Sequence, residues 1–584
     1  HERNSEIWQA LNDGACPVFM AAKQLNRTLT DFYLFPALSN PTELDLRRRV
    51  LIPAFSNIRQ ANPIQCSNLS MDATALLTLG YLGLLEVVIG SFDRIIIPHS
   101  TLGWMFGEKQ KVAFHQPSKI EEAKKLGQML ADEKIGVLQY KPIIDPDLAF
   151  EVGDELAILL QETKKDCEID SQQRLVVRSG PVHKVGSFMD ESADLSVYEE
   201  NLCSCSSLVK KAWECGALTS EELQLALDYL GQREEEWPQL LEISDNAIVY
   251  LDSLSVTYLQ FIGVLDKLIS TELDIFIYQS EVDRQNALRN FEAISINANN
   301  ILEIIRSQLA EGIESGVVSI SSMAEQSVEQ ENEFYHPTAE IFSASEKSDA
   351  SIIDDRFLNK HKYIAFESGE VPVHTTLDLL DVLLSKSVIT KDQKMSYRTK
   401  LRQAGYVFIS LLPEEIDYFL DKAQIIDSQI RETAELKIIR ENILQLKMSN
   451  LIQLPRDAEW ISETHKQLYQ SLKNQWMIGN DDTVCVARSE WILRLIDFRG
   501  WAHCFEENAG IGMAQYGSGI QINSLLLAPN DMSKEEKERY WRWLDERLIQ
   551  SLKYEDPATY RWLVESAKDQ ITKLEAKGLS EEIL

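Results

Sequence analysis

Positive charge is what this sequence is short of. Among 584 residues there are 58 Lys and Arg against 91 Asp and Glu, a net charge of −33. A chain this acidic has no global field that draws in a polyphosphate. Any nucleic-acid chemistry must rest on a local basic patch, a metal site or a partner that delivers the substrate. Cysteine is sparse too. The eight thiols (Cys16, Cys66, Cys167, Cys203, Cys205, Cys215, Cys485 and Cys504) show no disulfide-framework spacing, which favours a reducing, cytoplasmic setting. No signal peptide opens the chain, and its first residue is His1 rather than Met, which suggests a piece of a longer protein. The longest apolar run, Ala73 to Gly90, is interrupted by Glu86 and by small and hydroxylated residues, so it reads as core helix rather than membrane span. Cys203, Cys205, Cys215 and His183 match no common zinc spacing, and the paired glycines from Gly510 to Gly519 follow no strand that would make them a phosphate loop.

What is present is an ordinary globular composition, 44% hydrophobic and 26% charged, at a length that suggests roughly three or four domains. The chain also repeats itself. A shift of 180 places Asp72 on Asp252, Leu79 on Leu259, Gly83 on Gly263 and Ile95-Ile96-Ile97 on Ile275-Phe276-Ile277. A shift of 171 places Leu208 on Leu379 and Thr219 on Thr390, each Thr opening a capping box with Glu222 or Gln393. Each copy thus begins with strand, helix and β-branched strand, the pattern of a βαβ unit in a parallel sheet. The expected organisation is an unassigned segment 1–60, a first α/β domain over 61–243, a second over 244–425, and a mostly helical docking module over 426–584. Residues 319–351, rich in Ser and Glu, are expected to be a mobile segment within the second domain. In the helical module, Trp541, Leu544 and Leu548 are expected to form a packed face.

Ligands of open parallel sheets sit at the carboxyl ends of the strands. In the second copy the strand Ala247 to Leu251 delivers Asp252, the strand Ile275 to Tyr278 is followed by Glu281, and Ala350 to Ile353 delivers Asp354 and Asp355. Clustered carboxylates repel unless a cation joins them, and oxygen donors suit Mg²⁺ or Mn²⁺. Such an ion could activate water for phosphodiester hydrolysis.

Around these acids the chain resembles the PIN-domain nucleases, in particular large bacterial proteins that join PIN modules to helical repeats. The resemblance covers about 65–240 and 245–425. It rests on Tyr250-Leu251-Asp252, Ile275 to Glu281, Ile353-Asp354-Asp355-Arg356-Phe357-Leu358-Asn359 and Val373 to Leu380. It implies two tandem three-layer α/β/α domains with parallel sheets and divalent-metal cleavage of RNA, less often DNA. The implied catalytic residues are Asp252, Glu281, Asp354 and Asp355. The implied ligands of Mg²⁺ or Mn²⁺ are Asp252, Glu281 and Asp355, with Asp378 the candidate for a fourth. In the first copy Asp72 remains, but Thr101 stands opposite Glu281, and Val182-His183-Lys184 falls opposite Asp354 and Asp355. The first copy is therefore expected to be a silent scaffold and the second a nuclease, bound to RNA locally through metal and controlled by a regulatory partner or by missing N-terminal domains. The rival reading makes both domains silent interaction modules.

Overall fold

In the computed structural model the described residues are all but 1, 57–66, 113–116, 142–144, 165–171, 181–192, 194, 235–240, 323–335, 450, 453–455, 478, 497–509, 528, 530 and 577–584. Contacts divide the chain into two units, one formed by 1–113 with 296–584 and the other by 114–295.

The first unit, called outer because its two segments flank the other (inner) one in sequence, opens with four short helices, α1 (Glu2–Asn12), α2 (Val18–Gln24), α3 (Leu29–Phe32) and α4 (Leu34–Ser39). Its sheet is built from β1 (Asn68–Met71), β2 (Arg94–Ile97), β8 (Val318–Ile320), β9 (Ala350–Ile352), β10 (Tyr363–Phe366) and β11 (Gly369–His374), in the order β10-β11-β9-β1-β2-β8. Only β10 runs antiparallel to its neighbour. Helices α5 (Ala73–Leu82), α6 (Leu85–Ile89), α7 (Thr101–Val112), α16 (Pro337–Ser345), α17 (Thr376–Ser385) and α18 (Lys391–Gln403) belong to it. The apolar run Ala73 to Gly90 is thus two buried core helices, and among the described residues no helix is long and apolar enough to cross a membrane.

The second, inner unit has the sheet order β3-β7-β6-β4-β5, from β3 (Gly136–Leu138), β4 (Arg174–Arg178), β5 (Leu202–Ser204), β6 (Ile248–Leu251) and β7 (Asp274–Tyr278), all parallel. Its helices are α8 (Pro117–Ala131), α9 (Pro146–Val152), α10 (Asp154–Thr163), α11 (Cys205–Glu214), α12 (Ser220–Leu230), α13 (Ser253–Phe261) and α14 (Leu265–Leu268).

Strand identity agrees with the repeat, but the pairing does not follow the copies. The opening strands of the first copy, β1 and β2, lie in one sheet with the closing strands of the second, β8, β9 and β11. The opening strands of the second copy, β6 and β7, lie with β3, β4 and β5 of the first. The expected boundary at 243/244 is therefore replaced by an exchange of halves. The registers explain why either pairing is open to the chain: Leu69, Ser70 and Met71 face Ala350, Ser351 and Ile352, and their repeat partners Val249, Tyr250 and Leu251 face Leu175, Val176 and Val177 in the same way. The connectors decide between them. Helix α15 (Gln279–Glu314) is 36 residues, roughly 54 Å at 1.5 Å per residue. A crossover within one sheet needs about a dozen residues, so a helix this long does not return the chain from β7 to the next strand of the same short-stranded sheet. Its second half buries Ala298, Leu302, Ile305 and Leu309 in the outer unit, at helical spacing. There Gly80 of α5 leaves the room that Ile305 fills, since a Cβ on it would lie 2.3 Å from the Ile305 Cδ1.

Two more expectations change. The segment 319–351 contains the end of β8, all of α16 and the start of β9, with Ile341 and Ala344 buried; residues 323–335 of it lie outside the described residues. The helical region after 426 is no separate module, because Leu436, Trp460, Leu472, Trp476 and Tyr540 share one continuous core with Leu69 and Leu79. Of the expected face, Leu544 is buried and Leu548 packs against the core, joined by Tyr540 and Trp543, while Trp541 is 46% exposed. The unassigned start of the chain joins the same core through Tyr33, Leu34 and Ile52. Gly405 is required there: with φ +95, its missing side chain makes way for Asn40 Nδ2 and the Val50 carbonyl.

The exchange predicts one cross-link and excludes another. Ser70 and Ser351 lie side by side, their hydroxyls 2.7 Å apart. Ser70→Cys with Ser351→Cys should oxidise to an internal disulfide, a separation such bonds accept. Tyr250→Cys with Ser351→Cys should not. Mass spectrometry of the oxidised chain reads the outcome, and cross-linking of the second pair instead would mean that each copy folds on itself.

Candidate functional site: two divided carboxylate sets

The exchange divides the acids expected to act together. Asp354, Asp355 and Asp378 belong to the outer unit, whereas Asp252 and Glu281 belong to the inner one. In place of Asp252, the outer sheet supplies Asp72, at the end of β1.

At the outer edge three carboxylates are fully buried: Asp72, Asp354 and Asp355 each have 0% exposure. Asp72 caps α5, accepting from the Ala75 N–H at 2.9 Å and from the Thr74 hydroxyl at 2.8 Å. That same hydroxyl accepts the Asp354 N–H at 3.0 Å, which ties the ends of β1 and β9 together. Asp354 receives the N–H of Thr376 at 2.9 Å and its hydroxyl at 2.5 Å, at the start of α17. Asp355 receives Phe357 and Leu358 N–H on Oδ1 and the Val18 N–H on Oδ2 at 2.7 Å. Burial, aggravated by the charge of Asp72, pushes both Asp354 and Asp355 up to about 7; burial also raises Asp72. Tyr33 is buried among them, donating its hydroxyl to the Asp354 carbonyl at 2.6 Å, and its own ionisation is pushed far upward by burial and by the fields of all three acids. None of the three carboxylates makes an ion pair among the described residues. The candidate fourth ligand, Asp378, closes a capping box with Thr375, accepting from its N–H and hydroxyl at 2.8 Å. Opposite Glu281 stands Thr101, buried, its hydroxyl donated to the Pro98 carbonyl. A cavity of about 560 Å³ opens beside the end of β2, lined by His99, Ser100, Gly103, Trp104, Gly107, Glu108 and Lys111.

At the inner edge the acids already have cations. Asp252 caps α13 through the Ser255 N–H at 2.8 Å, and Arg178 Nε lies 3.2 Å from its Oδ2. Glu281, 1% exposed, pairs with Arg284 at 2.6 Å and accepts from the Gln285 amide. By register, Arg178, Ser179 and Gly180 occupy the positions that Ile353, Asp354 and Asp355 hold in the outer sheet. The residues first set opposite those aspartates, Val182 to Lys184, lie outside the described residues. Glu155 from α10 adds an acid the sequence reading missed, accepting from the Ser253 N–H and hydroxyl at 3.2 and 2.8 Å.

A divalent ion wants three or more oxygen donors turned toward one point. Among the described residues no three His, Cys, Asp or Glu side chains are so grouped. At the outer edge the carboxylate oxygens face N–H and O–H donors of the protein, and at the inner edge they face arginines. The arrangement described does not fit a metal.

Two parallel sheets, each with an Asp at the end of its central strand, define the class of a double α/β domain protein. Residues 250–364 match the PIN domain associated with the TPR-GreAB-C-PIN system, and residues 1–59 match a helix-turn-helix domain upstream of a double PIN. Over those two stretches the chain is similar to PIN-domain family proteins. No curated protein and no solved structure is significantly similar to it.

The buried acids set the pH response of the outer unit. Below about pH 4 the carboxyl of Asp354 is protonated in both folded and unfolded chains. Between that value and about 7 only the folded chain keeps the proton, so stability falls as pH rises through this window and levels off above it. Asp354→Asn can still accept the Thr376 N–H and can donate its amide to the Thr376 hydroxyl, but cannot ionise, and should shrink the loss of Tm between pH 5 and pH 8. Thermal melts of the two chains at both pH values check this; an undiminished loss would show that Asp354 does not carry the proton.

Proposed function

We propose that the chain is a PIN-type nuclease in a closed state, with the outer carboxylates Asp72, Asp354 and Asp355 as its working set and RNA as the more favoured substrate. One observation carries the reading. Three fully buried carboxylates, two of them in the field of the third and none in an ion pair among the described residues, are costly to keep. Groups so perturbed are concentrated at functional sites. Helix capping by Asp72 and Asp354 explains part of the cluster, but a hydroxyl or amide side chain would cap as well without the repulsion. Asp354 and Asp355 keep the role implied by the PIN resemblance, and Asp72 replaces Asp252 as the acid from the central strand. The metal ion of such a nuclease would be Mg²⁺ or Mn²⁺, and the closed arrangement has no place for it.

A second reading has its own support in the inner unit. Arg178 and Arg284 neutralise Asp252 and Glu281, and Ser179 and Gly180 stand where the later acids would be. This half fits the silent, protein-binding role better than catalysis. The acidic surface, net −33, is a further reason for a partner that brings the nucleic acid.

Mutants separate the two edges. Metal-dependent cleavage of single-stranded RNA by the full chain should fall about 100-fold or more in Asp72→Asn and in Asp354→Asn, roughly 3 kcal/mol of transition-state stabilisation. Asp252→Asn should change it less than about threefold, since an arginine already offsets that charge. Loss in Asp252→Asn with full activity in Asp72→Asn would move the site to the inner sheet.

A further inference from the structure

The outer carboxylates are covered by the start of the chain. Helix α2 has no cap of its own: its N-cap residue is Pro17, whose side chain accepts no hydrogen bond. The Val18 N–H, one of the donors a helix start leaves over, is satisfied instead by Asp355 Oδ2 at 2.7 Å. The acid that would ligate a metal therefore serves as the cap of α2. The inner face of the helix is closed by Val18, Phe19, Ala21 and Ala22, all buried, and the Phe19 ring stacks on His336 with centroids 4.7 Å apart. His336 in turn meets Trp104, a wall of the 560 Å³ cavity, so Phe19 ties α2 to that wall through His336. Lys23 and Gln24, at the end of the helix, are exposed. Both flanks turn through left-handed backbone, Gly14 at φ +60 and Asn26 at φ +53. The rest of the start is anchored independently: Asn12 accepts from Arg356 Nη1 at 2.8 Å, and Tyr33 is fully buried.

We propose that α2, with the loop 14–17 before it, is a plug on the carboxylate site. Asp355 can cap α2 or bind a divalent cation with the same oxygen, but not both at once. The plug rests on the nuclease reading above and deepens it, naming the contact that occupies Asp355 Oδ2 in the closed state. Lifting α2 frees Asp355 Oδ2 and leaves the anchored parts of the unit in place.

Two substitutions in the full chain loosen the plug without touching an acid. Val18→Pro deletes the N–H that α2 gives to Asp355 Oδ2, at the first position of a helix, where proline is tolerated and where Pro17, extended at ψ 145, already has the backbone a following proline requires. Phe19→Ala removes the stack on His336 and covers the case in which the first variant does not fold. Hydrogen exchange of residues 18–24 reports opening, and electron paramagnetic resonance titration with Mn²⁺ alone reports the site. The wild type should bind Mn²⁺ at least tenfold more weakly than either variant, and Asp355→Asn added to Val18→Pro should return binding to the wild-type level or below. Equal, Asp355-dependent Mn²⁺ binding by wild type and variants would overturn the plug and leave the nuclease reading standing. Faster exchange over 18–24 with no Mn²⁺ binding in either variant would overturn the nuclease reading, and the plug with it. Unchanged exchange in both variants would show that neither contact holds α2 down, and would also overturn the proposal.

Discussion

The pairing of β1 with β9 is the constraint from which the rest of the structure follows. It joins segments about 280 residues apart, with Ser70 bonded to the hydroxyls of Ser351, Ser345 and Ser348 in a fully buried cluster. Four serines in a core are acceptable because each hydroxyl finds another as donor or acceptor. The network fills the central strand position with groups that suit only one another. The opposite position in the inner sheet is aromatic, Tyr250 against Val176. Each half therefore carries a chemical preference for its present neighbour, although both registers are the same.

Once β1 lies on β9, with β2 and β8 beside them, residues 114–295 become an insertion. Residues 114–295 then close into a sheet of their own, and the acids of the second copy are divided between two edges. The two edges solve the problem of carboxylate repulsion differently. The inner one uses tethered cations, Arg178 and Arg284, which stay charged under all ordinary conditions. The outer one uses neutral donors and burial, which leaves the repulsion in place and shifts it into the protonation of Asp354 and Asp355. The first arrangement is electrostatically settled. The second is not, and a change in what covers it can release it.

The site was legible only in part. Asp354 and Asp355 were readable because a β-branched run ends on them and Phe357 and Leu358 follow. Asp72 was visible as the repeat partner of Asp252, but its companions were not legible in the first copy, where Thr101 stands opposite Glu281 and Val182-His183-Lys184 opposite Asp354 and Asp355. Arg284 lies three residues after Glu281 on one helix and could have been read as its partner from spacing alone. Nothing local connects Val18 to Asp355, 337 positions away. The helices of the N-terminal segment are too short for their periodicity to reveal what they cover.

The sequence by itself determined the repeat, the strands that end in acids, the paired capping boxes at Thr219 and Thr390, and the core character of Ala73 to Gly90. These are local properties, fixed by side-chain alternation, by caps and by burial demand. Tertiary structure alone decided which half pairs with which and which acids meet. A parallel strand offers the same backbone ladder to either repeat, so strand sequence leaves the partner open. The choice falls to a buried serine cluster and to a 36-residue helix that does not fold back over its own sheet.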